Sequence, residues 1–214
     1  MKDIVFIFDF DGTIADTHRF IIEISNRLAE EFNYGIIKPH EVEHLKDKTS
    51  REIIRHLKVP IFKIPAIISK AKKELYSGID TIKPIQGLKE ILQQLDAADV
   101  RMGILSSNAA ENISTFLKNH DLEIFEFVDS TVKVWTKNTS LKKLLAKHGF
   151  QPEQVLYIGD ETRDIEAAQI LGIKVAAVTW GYNSQKALVA HKPDFLIQTP
   201  QELYELCRAF SRKK

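Results

Sequence analysis

One cysteine, Cys207, stands among 214 residues. An internal disulfide is therefore excluded, and the chain suits a reducing cytoplasm. The thiol itself reads as a small apolar group on the last helix. Charge of one sign is equally scarce: 30 basic against 29 acidic side chains leave +1, which offers no electrostatic pull toward nucleic acid or an anionic membrane. No apolar run approaches the roughly eighteen residues of a membrane span. The start of the chain enters an apolar run after Lys2 and Asp3, without the longer core and small-residue cleavage site of a signal peptide. The nine glycines form neither a Gly-x-Gly-x-x-Gly nor a Walker-type loop, so no nucleotide cofactor is expected.

What the chain does have is a series of short apolar runs that each end in chemistry. Ile4 to Phe8 is continuous and rich in β-branched and aromatic residues, as a parallel strand buried on both faces requires. It delivers Asp9-Phe10-Asp11-Gly12-Thr13. An Asp-Gly pair can simply be a turn, but two acids one residue apart have no packing purpose at a strand end. Val100 to Leu105 ends in Ser106-Ser107-Asn108, whose hydroxyls and following helix start can bind an anion. Phe127-Val128 reads as another short strand. Lys137 precedes Thr139 and Ser140, candidate caps for a helix carrying Leu141, Leu144 and Leu145. Val155 to Ile158 delivers Gly159-Asp160-Glu161-Thr162-Arg163-Asp164, with Asp164 four residues beyond Asp160 and expected on the first helical turn, facing the same spot. Strands at 175–179 and 194–197, a loop at 180–184 read chiefly as structural and otherwise as bordering the site, and a final helix from Pro200 complete an alternating pattern.

The fold class that follows is α/β, a doubly wound parallel sheet. Residues 17–83 interrupt it. Phe20, Ile24, Leu28 and Phe32 recur at helical spacing, Thr49-Ser50-Arg51-Glu52 is a capping box, and a further helix follows Pro65. A crossover between parallel strands needs about a dozen residues, so this segment is expected to be a small all-helical domain inserted into a core formed by 1–16 and 84–214. Lys46, Lys48, Thr49 and Arg51 make a polar, cationic loop in it, where substrate-facing residues could lie.

These four stations resemble the signatures of the haloacid dehalogenase-like phosphohydrolases: Asp-x-Asp-Gly-Thr at Asp9, a strand-end serine at Ser106, a lysine ahead of a helix at Lys137, and Gly-Asp-x-x-x-Asp at Asp160. The helical insertion is similar to the cap of the phosphoglycolate phosphatase-like branch. The resemblance implies Asp9 as nucleophile, giving an aspartyl-phosphate intermediate, and Asp11 as the acid and base that serves it. It implies Mg²⁺ held by Asp9, the main-chain carbonyl of Asp11 and Asp160, with Asp164 as a further metal ligand or hydrogen-bonded to the metal's waters, and Ser106, Ser107 and Lys137 binding the phosphate. The expected partner is a small phosphorylated substrate, with no nucleic acid and no membrane. Departures remain: Asn138 stands where relatives often have proline, and Lys46-Asp47-Lys48 lacks the glycine many relatives carry. The alternatives are a sugar-phosphate mutase of the β-phosphoglucomutase type and a non-catalytic phosphate-binding relative.

Overall fold

The computed structural model describes residues 4–130 and 137–211. In chain order the core contains β1 (Val5–Phe8) and, after the insertion, α5 (Leu88–Asp96), β2 (Arg101–Ser106), α6 (Ala110–Asn119) and β3 (Phe127–Ser130). It continues with α7 (Lys137–His148), β4 (Val155–Gly159), α8 (Thr162–Ile170), β5 (Lys174–Val178), α9 (Gln185–Ala190), β6 (Phe195–Ile197) and α10 (Pro200–Ser211). The insertion holds α1 (His18–Phe32), α2 (Val42–Leu45), α3 (Ser50–His56) and α4 (Ile64–Ser77). Pro65, expected to precede the last of these, lies inside its first turn, where the missing N–H removes no helical bond.

The strands pair in the order β3-β2-β1-β4-β5-β6, and every pairing is parallel. Strand side chains alternate between faces, and β1 shows what each face does. Phe6 and Phe8 join the core made with α5, α6 and α10, while Val5 and Ile7 join the one made with α7 and α8. All four are wholly buried, as the continuous apolar run demanded. Because the chain builds outward from β1 to β3 on one side and returns to place β4 on the other, the connections diverge between β1 and β4. Their carboxyl ends therefore border the crevice where such sheets bind ligands.

The insertion leaves and re-enters the core at a single place. Ala15 pairs antiparallel with Pro84, the Asp16 amide donates to the Lys83 carbonyl at 2.9 Å and the Ile85 amide to that of Ile14 at 2.9 Å. Between these two passes, residues 17–83 form helices and connecting turns with no strand among the described residues. Within them α1 packs along α4, closed by the αL residue Asn33 at the end of α1.

Candidate active site

Asp9 leaves β1 buried, with its Oδ1 accepting the Phe10 amide at 2.7 Å. Its Oδ2 lies 2.7 Å from Lys137 Nζ, and the same ammonium is 3.1 Å from Asp164 Oδ1. Lys137 opens α7 itself, which corrects the expectation of a lysine ahead of a helix capped by Thr139 or Ser140. Placing it in the first turn anchors the ammonium on a rigid element whose Leu141, Leu144 and Leu145 are buried behind it. Lys142 and Lys143, the neighbouring lysines, face solvent. Burial alone would lower the Lys137 pKa, but the Asp164 and Asp9 carboxylates outweigh it and hold the ammonium charged.

Asp160 comes off the end of β4. Its Oδ1 accepts from Thr13 Oγ1 at 2.7 Å and its Oδ2 from the Tyr182 amide at 2.7 Å. Asp164 turns back from the start of α8, its Oδ2 accepting the Glu161 amide at 3.1 Å. Asp9, Asp160 and Asp164 thus place one carboxylate oxygen each within 4.8 Å of one another, all buried. The first and last stations therefore meet, and Lys137 reaches Asp9 and Asp164 among them. Gly12 makes the approach possible: its φ is +78°, and a Cβ there would lie 2.4 Å from Asp160 Oδ2.

These acids repel one another. Burial pushes Asp160 well above the carboxylate range, and Glu161, Asp164 and Asp9 push it further. Burial also raises Asp164, with the nearby Lys137 pulling the other way. Lys137 pairs with Asp9 and Asp164, and the Arg163 guanidinium also acts on Asp164, so the three buried carboxyl groups form a set of hard oxygen donors that fits a divalent cation.

Asp11 is set apart from this cluster. Asn108 Nδ2 donates to its Oδ1 at 3.2 Å. Burial, with the Asp9 charge, pushes its pKa to about 7, against the opposing hydrogen bonds from Asn108 and Thr17. Asn108 is positioned in turn by its own amide, which donates to Ser106 Oγ at 3.0 Å, and by Asn112 Nδ2, which donates to Asn108 Oδ1 at 2.8 Å. Ser106 is buried at the end of β2, and Ser107 and Asn108 line a cavity of about 390 Å³ together with Asp11.

The inserted helices form the other walls of that cavity. Lys46 and Lys48 line it, and so does Ser50, whose hydroxyl reaches Glu161 Oε2 at 3.2 Å. Thr49 and Arg51 do not. The Thr49 side chain is committed to its capping box with Glu52, and Arg51 lies exposed on the outside of α3.

Several residues that organise the site carried no separable signal in the sequence. In the sequence Thr13 stands only as the last residue of Asp-x-Asp-Gly-Thr, with no role of its own, and Tyr182 and Asn183 stand in the loop read chiefly as structural. That loop in fact borders the site. Tyr182 holds Asp160 through its amide and Thr17 through its hydroxyl, at 2.8 Å. Asn183 accepts the Thr162 amide at 2.9 Å and donates to the carbonyls of Lys46 and Lys48 at 2.9 and 3.0 Å. Asn183→Ala would strip partners from three backbone groups at this seam. The expected loss is about 1–3 kcal/mol of stability, read as a fall of roughly 2–4 °C in Tm per kcal/mol. An unchanged Tm would show that the seam holds without it.

Residues 6–178 match the haloacid dehalogenase-like hydrolase family. A phosphoglycolate phosphatase of Synechococcus elongatus is 35% identical over 208 residues, which cover 97% of this chain and 98% of that protein. Pyrophosphatase PpaX of Bacillus cereus is 26% identical over 222 residues, covering 99% of this chain and all of its own. Among solved structures, one described as a predicted phosphatase from Clostridium acetobutylicum superposes with a TM-score of 0.83 at 16% identity, covering 98% of this chain and 100% of that one, a likeness of fold.

Proposed function

The chain belongs to the haloacid dehalogenase-like hydrolases, and from that premise we propose that it is a Mg²⁺-dependent cytoplasmic phosphatase that hydrolyses a small phosphomonoester through an aspartyl-phosphate. One observation carries the reading: Asp9 lies at the switch point of the sheet, within reach of Lys137 and the other two buried acids, while Asp11 stands apart beside the cavity. Residues 17–83 act in this reading as a cap over a core of 1–16 and 84–214.

The chemistry divides between the two aspartates. An Asp9 carboxylate oxygen bonds to phosphorus as the ester P–O bond breaks, and the departing alkoxide takes the Asp11 proton and leaves as an alcohol. Water then attacks the aspartyl-phosphate, gives its proton to Asp11 and releases inorganic phosphate, which restores Asp9. Ser106, Ser107 and Lys137 hold the transferring phosphoryl group and offset its charge. Asp9, Asp160 and Asp164, with the main-chain carbonyl of Asp11, would hold Mg²⁺. When bound, the cation supplies charge neutralisation between an anionic nucleophile and a phosphate dianion.

Phosphate release from p-nitrophenyl phosphate is expected with Mg²⁺, to vanish on chelation and to return when Mg²⁺ is restored. The cation should also stabilise the fold independently of turnover. At a concentration 100 times its Kd the gain is about 2.7 kcal/mol, a rise of roughly 5–10 °C in Tm for a chain of this size. Activity that persists after exhaustive chelation, with no Tm response to Mg²⁺, would remove the metal from the mechanism.

A further inference from the structure

The cavity above Asp11 is far more apolar than a phosphate needs. Its cationic residues belong to the seam with the core. The main-chain carbonyls of Lys46 and Lys48 are held there by Asn183, α4 meets the core at Lys72, whose carbonyl is 3.5 Å from Asn112 Nδ2, and Arg163 lines the cavity from α8 of the core. Deeper in the insertion the walls are mostly aliphatic: Ile21 and Ile22 of α1, Ile53 and Ile54 of α3, and Ile67 and Ile68 of α4 all line the cavity, with Ser25 and Tyr34 among them. Each of the six is only half-buried, although α1 and α4 pack against each other. Three helices therefore turn isoleucines toward a shared space that is continuous with Asp11, Ser107 and Asn108.

We propose that this chamber receives the leaving group, so that the substrate is the phosphate monoester of an apolar alcohol with a body of about six to eight carbons. This deepens the phosphatase reading and rests on it. The volume of about 390 Å³ has room for roughly a dozen groups the size of water, at about 30 Å³ each. A two-carbon acid such as glycolate ends at the cationic seam and leaves the isoleucines uncovered. A longer polar leaving group would bring hydroxyls or charges against isoleucines that offer them no partner, and the Tyr34 hydroxyl among them is already taken up by the Ser25 carbonyl at 2.7 Å. An alkyl or aryl body instead covers those walls, and hydrolysis releases it as its alcohol, with water supplying the oxygen that phosphate gains.

The test is a series of linear alkyl phosphates from ethyl to decyl, kept below their aggregation concentrations, with phosphoglycolate alongside. The value of kcat/KM is expected to rise threefold to fourfold per methylene, about 100-fold from ethyl to hexyl, and to level off near octyl once the chamber is filled. Ala71→Phe, which adds a ring from α4 into the same space, should cut the hexyl-to-ethyl ratio by tenfold or more. If that variant does not fold, Ile54→Thr, which makes the wall polar, should lower the same ratio. Esters hydrolysed without regard to chain length, or phosphoglycolate used better than hexyl phosphate, overturn this inference and leave the phosphatase standing. If no ester is hydrolysed at all, the phosphatase reading fails, and calorimetry with alkylphosphonates, which have no ester bond, decides the chamber. Their Kd falls along the series if it is used and stays flat if it is not.

Discussion

Asp9→Asn is expected to lower kcat on p-nitrophenyl phosphate by on the order of 10⁴ or more, because removing the nucleophile disables a set of groups that act as a unit. Little of this should come from misfolding. The asparagine oxygen can still accept the Phe10 amide, and Lys137 keeps Asp164 at 3.1 Å. One of three mutually repelling buried carboxylates also disappears. The substitution weakens Mg²⁺ binding as well, so loss of turnover alone would not separate a nucleophile from a metal ligand. Mass spectrometry of acid-quenched enzyme does: the wild-type peptide containing Asp9 should carry one phosphoryl group during turnover, and the variant none. Full activity in the variant, or a phosphoryl group elsewhere in the wild type, would remove Asp9 from that role.

The parts of this site that could be read from sequence are those that the sheet places by rule. An apolar strand in a parallel sheet must expose its carboxyl end, so acids found there at Asp9 and Asp160 have one destination. The i, i+4 relation carries Asp164 to the same point. The strands and the helices that cover them were legible for the same reason, since β1 is buried on both faces and its run shows no alternation. Lys137 was legible as a residue and misplaced as an element, because Thr139 and Ser140 look like caps in a sequence although the helix has already begun two residues earlier.

The contacts that lock the site were not legible, for a physical reason. Thr13 to Asp160 spans 147 positions and Asn183 to the Lys46 carbonyl spans 137. Asn183 is a residue type whose local role in a loop is sufficient to explain its presence, and the signature that contains Thr13 does not say which distant carboxylate its hydroxyl meets. The isoleucines of the insertion hid in a similar way. Helical spacing says that a face is apolar, but whether that face meets another helix or an open chamber depends on how far the helices stand apart. Tertiary spacing also explains why Thr49 and Arg51, adjacent in sequence to two residues that line the cavity, take no part in it.

Asp11→Asn is expected to separate the two halves of the reaction. In the wild type, burial and the neighbouring Asp9 raise the Asp11 pKa to about 7, so near neutrality both protonation states are populated and the group can give a proton and later take one. Asparagine can do neither. It can still accept from Asn108, so the side chain should keep its place, and the main-chain carbonyl is unchanged. Turnover should fall by about 10²–10⁴-fold, but unevenly. An alkyl phosphate must expel a basic alkoxide, and without an acid its first step fails. The p-nitrophenolate ion leaves unprotonated, so with that substrate the first step survives and only the attack of water is slowed. Rapid mixing should then show a burst of p-nitrophenol close to one equivalent per enzyme, followed by a slow steady state, with the aspartyl-phosphate accumulating. With hexyl phosphate there should be no burst. Equal losses on both substrates without accumulation would deny Asp11 its place in proton transfer, and loss of Mg²⁺ binding in this variant would make its carboxylate, not its carbonyl, the metal ligand.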